Sequence, residues 1–193
     1  MIVGDDAARG HNAPSPCALA QPGALCGPGN GRQTPGGGDK VSHAGWPAIT
    51  GVLWKVIDGS HTLIGGPLSD ELLGRHGNDV VHGGPGADVL WSDWDPVGNT
   101  RHQRDVLAGE GGNDHLYSSH GRNTISGGRG NDYVWAYYGR GTIDCGAGYD
   151  TLRVRLVNRY RVRNCERVRH FCAHGFKPGG GCFRPGERAV RQR

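Results

Sequence analysis

Ten blocks laid end to end from Val56 constrain this chain more than any other feature. They read VIDGSHTLI, GGPLSDELL, GRHGNDVVH and GGPGADVLW, then the longer SDWDPVGNTRHQRDVLA, then GEGGNDHLY, SSHGRNTIS, GGRGNDYVW, AYYGRGTID and CGAGYDTLR. The eighth position of each nine-residue frame is aliphatic in all ten: Leu63, Leu72, Val81, Leu90, Leu107, Leu116, Ile125, Val134, Ile143 and Leu152. A helical period of 3.6 cannot generate this register, whereas a short strand entered once per turn can. The long block, Ser92 to Ala108, carries the turn chemistry WDPVGNT and reads as a loop inserted at 92–104.

The chemistry inside each block has a physical reading. Glycine at positions one, two and four permits positive φ and close backbone approach, so carbonyl oxygens can turn inward together. Asp at position six adds charge beside those carbonyls. Carbonyls and carboxylates are the hard oxygens that Ca²⁺ collects, six to eight at a time. The last three residues form a strand whose middle side chain faces in and whose neighbours face out.

GGRGNDYVW, with its phased repeats over roughly 56–153, resembles the G-G-x-G-x-D-x-U-x nonapeptide of RTX (repeats-in-toxin, hemolysin-type) calcium-binding proteins. The resemblance implies an all-β fold, a right-handed parallel β-roll (a β-solenoid), with two nonapeptides per coil and Ca²⁺ held between successive turns of one edge. Ten blocks then make about five coils. At a strand spacing of ~4.8 Å, the roll spans roughly 20–25 Å.

Alternate blocks fall on opposite edges of such a roll. The even blocks carry Asp70, Asp88, Asp114, Asp132 and Asp150 at position six without a gap. The odd blocks carry His61, Asp79, Asp105, Asn123 and Gly141, which leaves two carboxylates. The expected calcium ligands are the five even-edge aspartates, with one further site between Asp79 and Asp105. Leu68 replaces glycine in the first even block and weakens that site. Position nine of the even blocks gives Leu73, Trp91, Tyr117 and Trp135, with Tyr133 nearby at position seven. This outward aromatic row suits stacked sugars or another chain, or serves as a seat for the N-terminal segment.

The ends differ from the middle in composition and charge. With 36 Gly, 11 Pro and only 35% apolar residues, the chain has little material for a second core. Residues 56–152 hold 13 acidic against 6 basic residues, while 153–193 hold 2 against 12. Residues 1–48 lack apolar periodicity and are expected to be a disordered Pro/Gly-rich segment. The roll occupies 49–153, with Ile49–Ile57 closing its open end, and 154–170 form a C-terminal cap of strands alternating apolar residues with Arg. A basic, Cys-containing tail, 171–193, follows. For the six cysteines, Cys145–Cys165 as a staple between cap and coil is the favoured pairing; Cys172 with Cys182 and Cys17 with Cys26 close small loops.

No apolar run is long enough to span a membrane. The chain has no H-E-x-x-H and no G-x-S-x-G, only four Glu, and ten His without ligand spacing, so it is not expected to be an enzyme. The basic cap is expected to be a solvated face rather than a nucleic-acid site. The reading is a secreted protein whose cofactor is Ca²⁺. The alternative is an adhesin-like or carbohydrate-binding module, with a glycan or protein surface as partner and calcium purely structural.

Overall fold

The computed structural model describes residues 2–3, 32–35, 45–56, 58–94, 102–156, 159–172 and 182. Fifteen strands and no helix make up these residues. On the first sheet lie β1 (Ile2–Val3), β4 (Thr62–Ile64), β6 (Val80–Pro85), β8 (Arg104–Gly111), β10 (Arg122–Arg129), β12 (Arg140–Ala147) and β14 (Tyr160–Arg163), hydrogen-bonded in that order. On the second lie β2 (Arg32–Pro35), β3 (Val52–Lys55), β5 (Glu71–Leu73), β7 (Val89–Trp91), β9 (His115–Tyr117), β11 (Tyr133–Ala136), β13 (Thr151–Arg155) and β15 (Arg167–Phe171). Every pairing is parallel except β2 with β3. The chain alternates between the sheets once per block, which is a β-solenoid of about six turns.

The register follows the nine-residue frame. Val106 faces Thr124, which faces Thr142, each one full coil further along the chain. Val80 faces Val106, so the extra residues of the long block are absorbed without shifting the strands that follow. The position-eight side chains of both sheets meet in a single file between them: Leu63, Leu72, Val81, Leu90, Leu107, Leu116, Ile125, Val134, Ile143 and Leu152 are all essentially inaccessible. Burying each contributes about 1.5–3 kcal/mol. A core one side chain thick makes inter-coil contacts, rather than bulk, the source of cohesion.

The roll of about six turns roughly matches the expected five coils, and both ends continue it. β3 pairs in parallel with β5, and β14 and β15 add strands to β12 and β13. In the last turn Val162 and Val168 stand opposite Ile143 and Leu152 but stay 39% and 42% exposed, since among the described residues no further coil covers them. Within 1–48, expected to be disordered, the described residues are β1, β2 and the stretch from Gly45. Within the tail they are Phe171, Cys172 and Cys182.

Candidate metal centre

The even-edge aspartates sit at the turn preceding each strand of the second sheet, and the fold buries all of them. Asp70, Asp88, Asp114 and Asp150 are 0% exposed and Asp132 is 2%. In Asp88, Asp114, Asp132 and Asp150 one carboxylate oxygen is spent on the coil before it. The Asp70 N–H donates to Asp88 Oδ1 at 2.7 Å, Asp88 to Asp114 at 2.8 Å, Asp114 to Asp132 at 2.9 Å and Asp132 to Asp150 at 2.7 Å. The result is a carboxylate ladder along the roll axis.

The second oxygens differ. Oδ2 of Asp114, Asp132 and Asp150 is buried with no hydrogen-bond partner among the described residues. An orphaned buried carboxylate oxygen is costly and rare. Burial is the largest influence on these groups and pushes Asp114 up to about 7 and Asp132 up to about 6, with Asp150 also raised. Neighbouring carboxylates add to the shift: Asp132 acts on Asp114, and Asp150 on Asp132.

Position-one glycines leave the space that the Asp114 and Asp132 oxygens face; in the Asp150 block that position is Cys145. A methyl group on Gly109 would strike Asp114 Oδ2 and the carbonyl oxygen of Gly127. On Gly127 it would strike Asp132 Oδ2 and the carbonyl oxygen of Cys145. Each cradle therefore brings a carboxylate oxygen from one coil against a main-chain carbonyl from the next. Among the described residues no three metal-ligating side chains converge. The oxygen set is carboxylate plus backbone, which suits a hard cation of flexible coordination and fits Ca²⁺.

The first even block behaves otherwise. Asp70 Oδ2 accepts the N–H of Gly66 at 2.7 Å, a local turn closure in the block where Leu68 replaces glycine.

The odd edge is satisfied by the protein itself. Asp79 accepts the His61 N–H at 2.9 Å through Oδ1 and the Arg75 N–H at 2.9 Å through Oδ2. Burial still pushes its carboxyl up to about 7. Asp105 Oδ1 accepts the Asp79 N–H at 3.0 Å, and its Oδ2 accepts the Ser119 hydroxyl and, at 3.2 Å, Gln103 Nε2. Where the next carboxylate would stand, Asn123 donates from Nδ2 to the Ser119 carbonyl at 3.0 Å and to the Tyr160 hydroxyl at 2.9 Å. Its Oδ1 accepts the Ser92 hydroxyl at 3.2 Å. The structure thus brings Asp79 and Asp105 together within a network that uses all four of their oxygens.

Two features escape the nine-residue frame. Glu166 Oε2 accepts the Asp150 N–H at 2.8 Å and extends the even ladder into the cap. It lies 16 residues after Asp150 rather than 18, because the cap turn is short. The Ser119–Gln103–Tyr160 network is built from turn, insertion and cap positions that the repeat does not specify. Cys145 and Cys165 are bonded with Cα atoms 5.1 Å apart, and Cys172 and Cys182 with Cα atoms 5.3 Å apart. Cys17 and Cys26 lie outside the described residues.

The aromatic row forms as a stack. Trp91 and Tyr117 lie 4.3 Å apart and nearly parallel, and Trp135 lies 5.9 Å from Tyr117. Tyr133 turns instead to His115, at 5.2 Å. Trp46 covers part of the row, at 6.3 Å from Trp91 and 5.8 Å from Tyr117. Beyond it an open cleft of about 270 Å³ runs between Trp91, Tyr117, Trp135, Tyr137 and Tyr138.

A parallel β-roll whose turns pair buried carboxylates with glycine-spaced carbonyls defines a class of calcium-binding repeat. The profile of the RTX calcium-binding nonapeptide repeat (4 copies) matches residues 62–95, 103–134 and 119–152, so this part of the chain carries repeats of that type. Neither the curated proteins nor the solved structures contain a significant match.

Proposed function

We propose that the protein is a secreted, non-catalytic calcium-binding β-roll in which Asp88, Asp114, Asp132 and Asp150 are the principal side-chain ligands. The observation that carries this reading is the set of buried Oδ2 atoms of Asp114, Asp132 and Asp150, each without a hydrogen-bond donor among the described residues. Bound Ca²⁺ would supply the positive charge these oxygens lack. The chain's own contribution is to hold the carboxylates in register and to close the cradles with carbonyls from the adjacent coil. Ion binding is then folding energy, because no cradle exists until two coils stack. Mg²⁺ substitutes poorly, since it demands a tighter octahedron. The two disulfides fit an oxidising compartment, which supports secretion. Far-ultraviolet circular dichroism in excess chelator and then in millimolar Ca²⁺ tests the proposal: the β signal should be lost and restored, and a spectrum indifferent to calcium overturns it.

A second reading, an adhesin-like or carbohydrate-binding module, is favoured by the aromatic cleft. The indole Nε1 atoms of Trp91 and Trp135 are buried there without an acceptor among the described residues. A pyranose stacked on these rings would offer hydroxyl oxygens to both. A glycan array with the calcium-loaded protein, repeated with Trp135→Ala, tests this reading; it fails if no glycan is retained or if the variant retains it equally.

A further inference from the structure

Position five of the odd blocks builds a feature that calcium binding does not use. Arg104 faces Arg122, and Arg122 faces Arg140, in consecutive parallel strands. The Gly141 N–H donates to the Arg159 carbonyl, which puts Arg159 next in the same column. All four are exposed, and none makes an ion pair among the described residues. Like charges directly opposite on neighbouring strands destabilise a sheet. Two acids at the surface of this sheet are already engaged: exposed Glu110 pairs with His82 at 2.7 Å and half-buried Asp144 with Arg163 at 2.7 Å. Asp79 and Asp105 point into the roll, where the protein's own donors occupy them.

We infer that this column is a docking surface for a linear anionic polysaccharide lying along the roll axis. The argument is charge complementarity at a fixed spacing. Stacked strands put one guanidinium every ~4.8 Å. A polysaccharide carrying one carboxylate or sulfate per pyranose advances one ring per charge, close to that step. Duplex DNA carries one phosphate per strand for every ~3.4 Å of helix axis, and these wind around the duplex instead of lining a straight edge. An extended acidic peptide repeats the same face only every ~6.8 Å. Neither matches the column. Guanidinium forks also bind carboxylate and sulfate in bidentate geometry. Beside the arginines runs a flat column that includes Thr124 and Thr142, both exposed, leading into a shallow groove bounded by Arg161 and Arg163. Threonine hydroxyls there can exchange hydrogen bonds with ring hydroxyls.

The test uses the full chain in calcium, with chondroitin sulfate as the probe, neutral dextran as the control polymer and a 20-base-pair DNA duplex as the competing class. Binding to chondroitin sulfate should be measurable at low salt and weaken steeply as salt rises, with none to dextran. The triple variant R104Q/R122Q/R140Q should lose roughly tenfold or more in affinity, whereas R129Q/R167Q/R169Q, which removes equal charge elsewhere, should lose less than about threefold. Circular dichroism on both variants checks that the roll persists. Equal losses in the two variants, no binding by the natural chain, or tighter binding to the duplex than to chondroitin sulfate would overturn the proposal.

Discussion

The two edges of the roll solve one problem in opposite ways. Each must bury a polar turn every coil, and each begins from the same nine-residue template. On the even edge, Asp88, Asp114, Asp132 and Asp150 follow one another, and Asp114, Asp132 and Asp150 keep an oxygen that no donor in the described protein reaches. On the odd edge, Asp79 and Asp105 have both oxygens occupied, and Asn123 with Ser119, Gln103 and Tyr160 fills the remaining space. On the proposed reading the first edge awaits a cation, whereas the carboxylate oxygens of the second are paired as folded. A repeat motif therefore marks where a cradle can form, while the neighbours of each carboxylate decide whether an ion is needed.

Mutation of matched positions is the strongest way to break this comparison. Asp132→Ala sits mid-ladder and should raise the calcium concentration needed for folding by roughly tenfold or more, about 1.4 kcal/mol or greater. Asp79→Ala should raise that concentration less, through lost packing and hydrogen bonds alone. Calcium titrations followed by circular dichroism read both, and equal shifts would erase the distinction between edges.

Next in size is the staple between last coil and cap. Breaking the Cys145–Cys165 bond with Cys165→Ser should cost about 3 kcal/mol through the freed unfolded chain. The loss should show most clearly when calcium is scarce, since ions otherwise hold the coils together. Denaturant unfolding at two calcium levels measures it, and an equal loss at both would separate the staple from the ladder.

The odd edge offers a smaller, calcium-independent effect. Ser119→Ala removes a donor to buried Asp105 and should cost about 1–3 kcal/mol at every calcium level that folds the roll. A loss that changes with calcium concentration would place an ion on that edge too.

The smallest effect is with pH. Burial raises Asp114 to about 7 and Asp132 to about 6, so the metal-free folded state binds more protons than the unfolded chain between roughly pH 4 and 7. In chelator, the small folded fraction should grow as pH falls through that window. In calcium the sign reverses, because the ion requires the deprotonated carboxylates. Circular dichroism in chelator at pH 8 and pH 5.5, with calcium titrations at both, checks both signs.

The sequence makes the two sheets, their register and the even ladder legible because each rests on a strict period: position eight for the core, position six for the carboxylates. What lies off the period is not legible. Glu166 joins the ladder from a cap turn two residues short, so the frame steps past it. Ser119, Gln103 and Tyr160 converge only after the coils stack, and nothing in their spacing marks them as partners of Asp105. Trp46 reaches the aromatic row from a stretch with no periodicity at all, held by long-range ring contacts.

Calcium stoichiometry tests the central claim most directly. Equilibrium dialysis of the full chain should find about three or four ions bound per molecule, as hard-oxygen cradles on one edge require. The double variant Asp114→Asn with Asp132→Asn should lose at least two of them, and Asp79→Asn with Asp105→Asn should lose none. A natural chain that binds no calcium, or an odd-edge variant that loses as many ions as the even-edge one, would contradict the account.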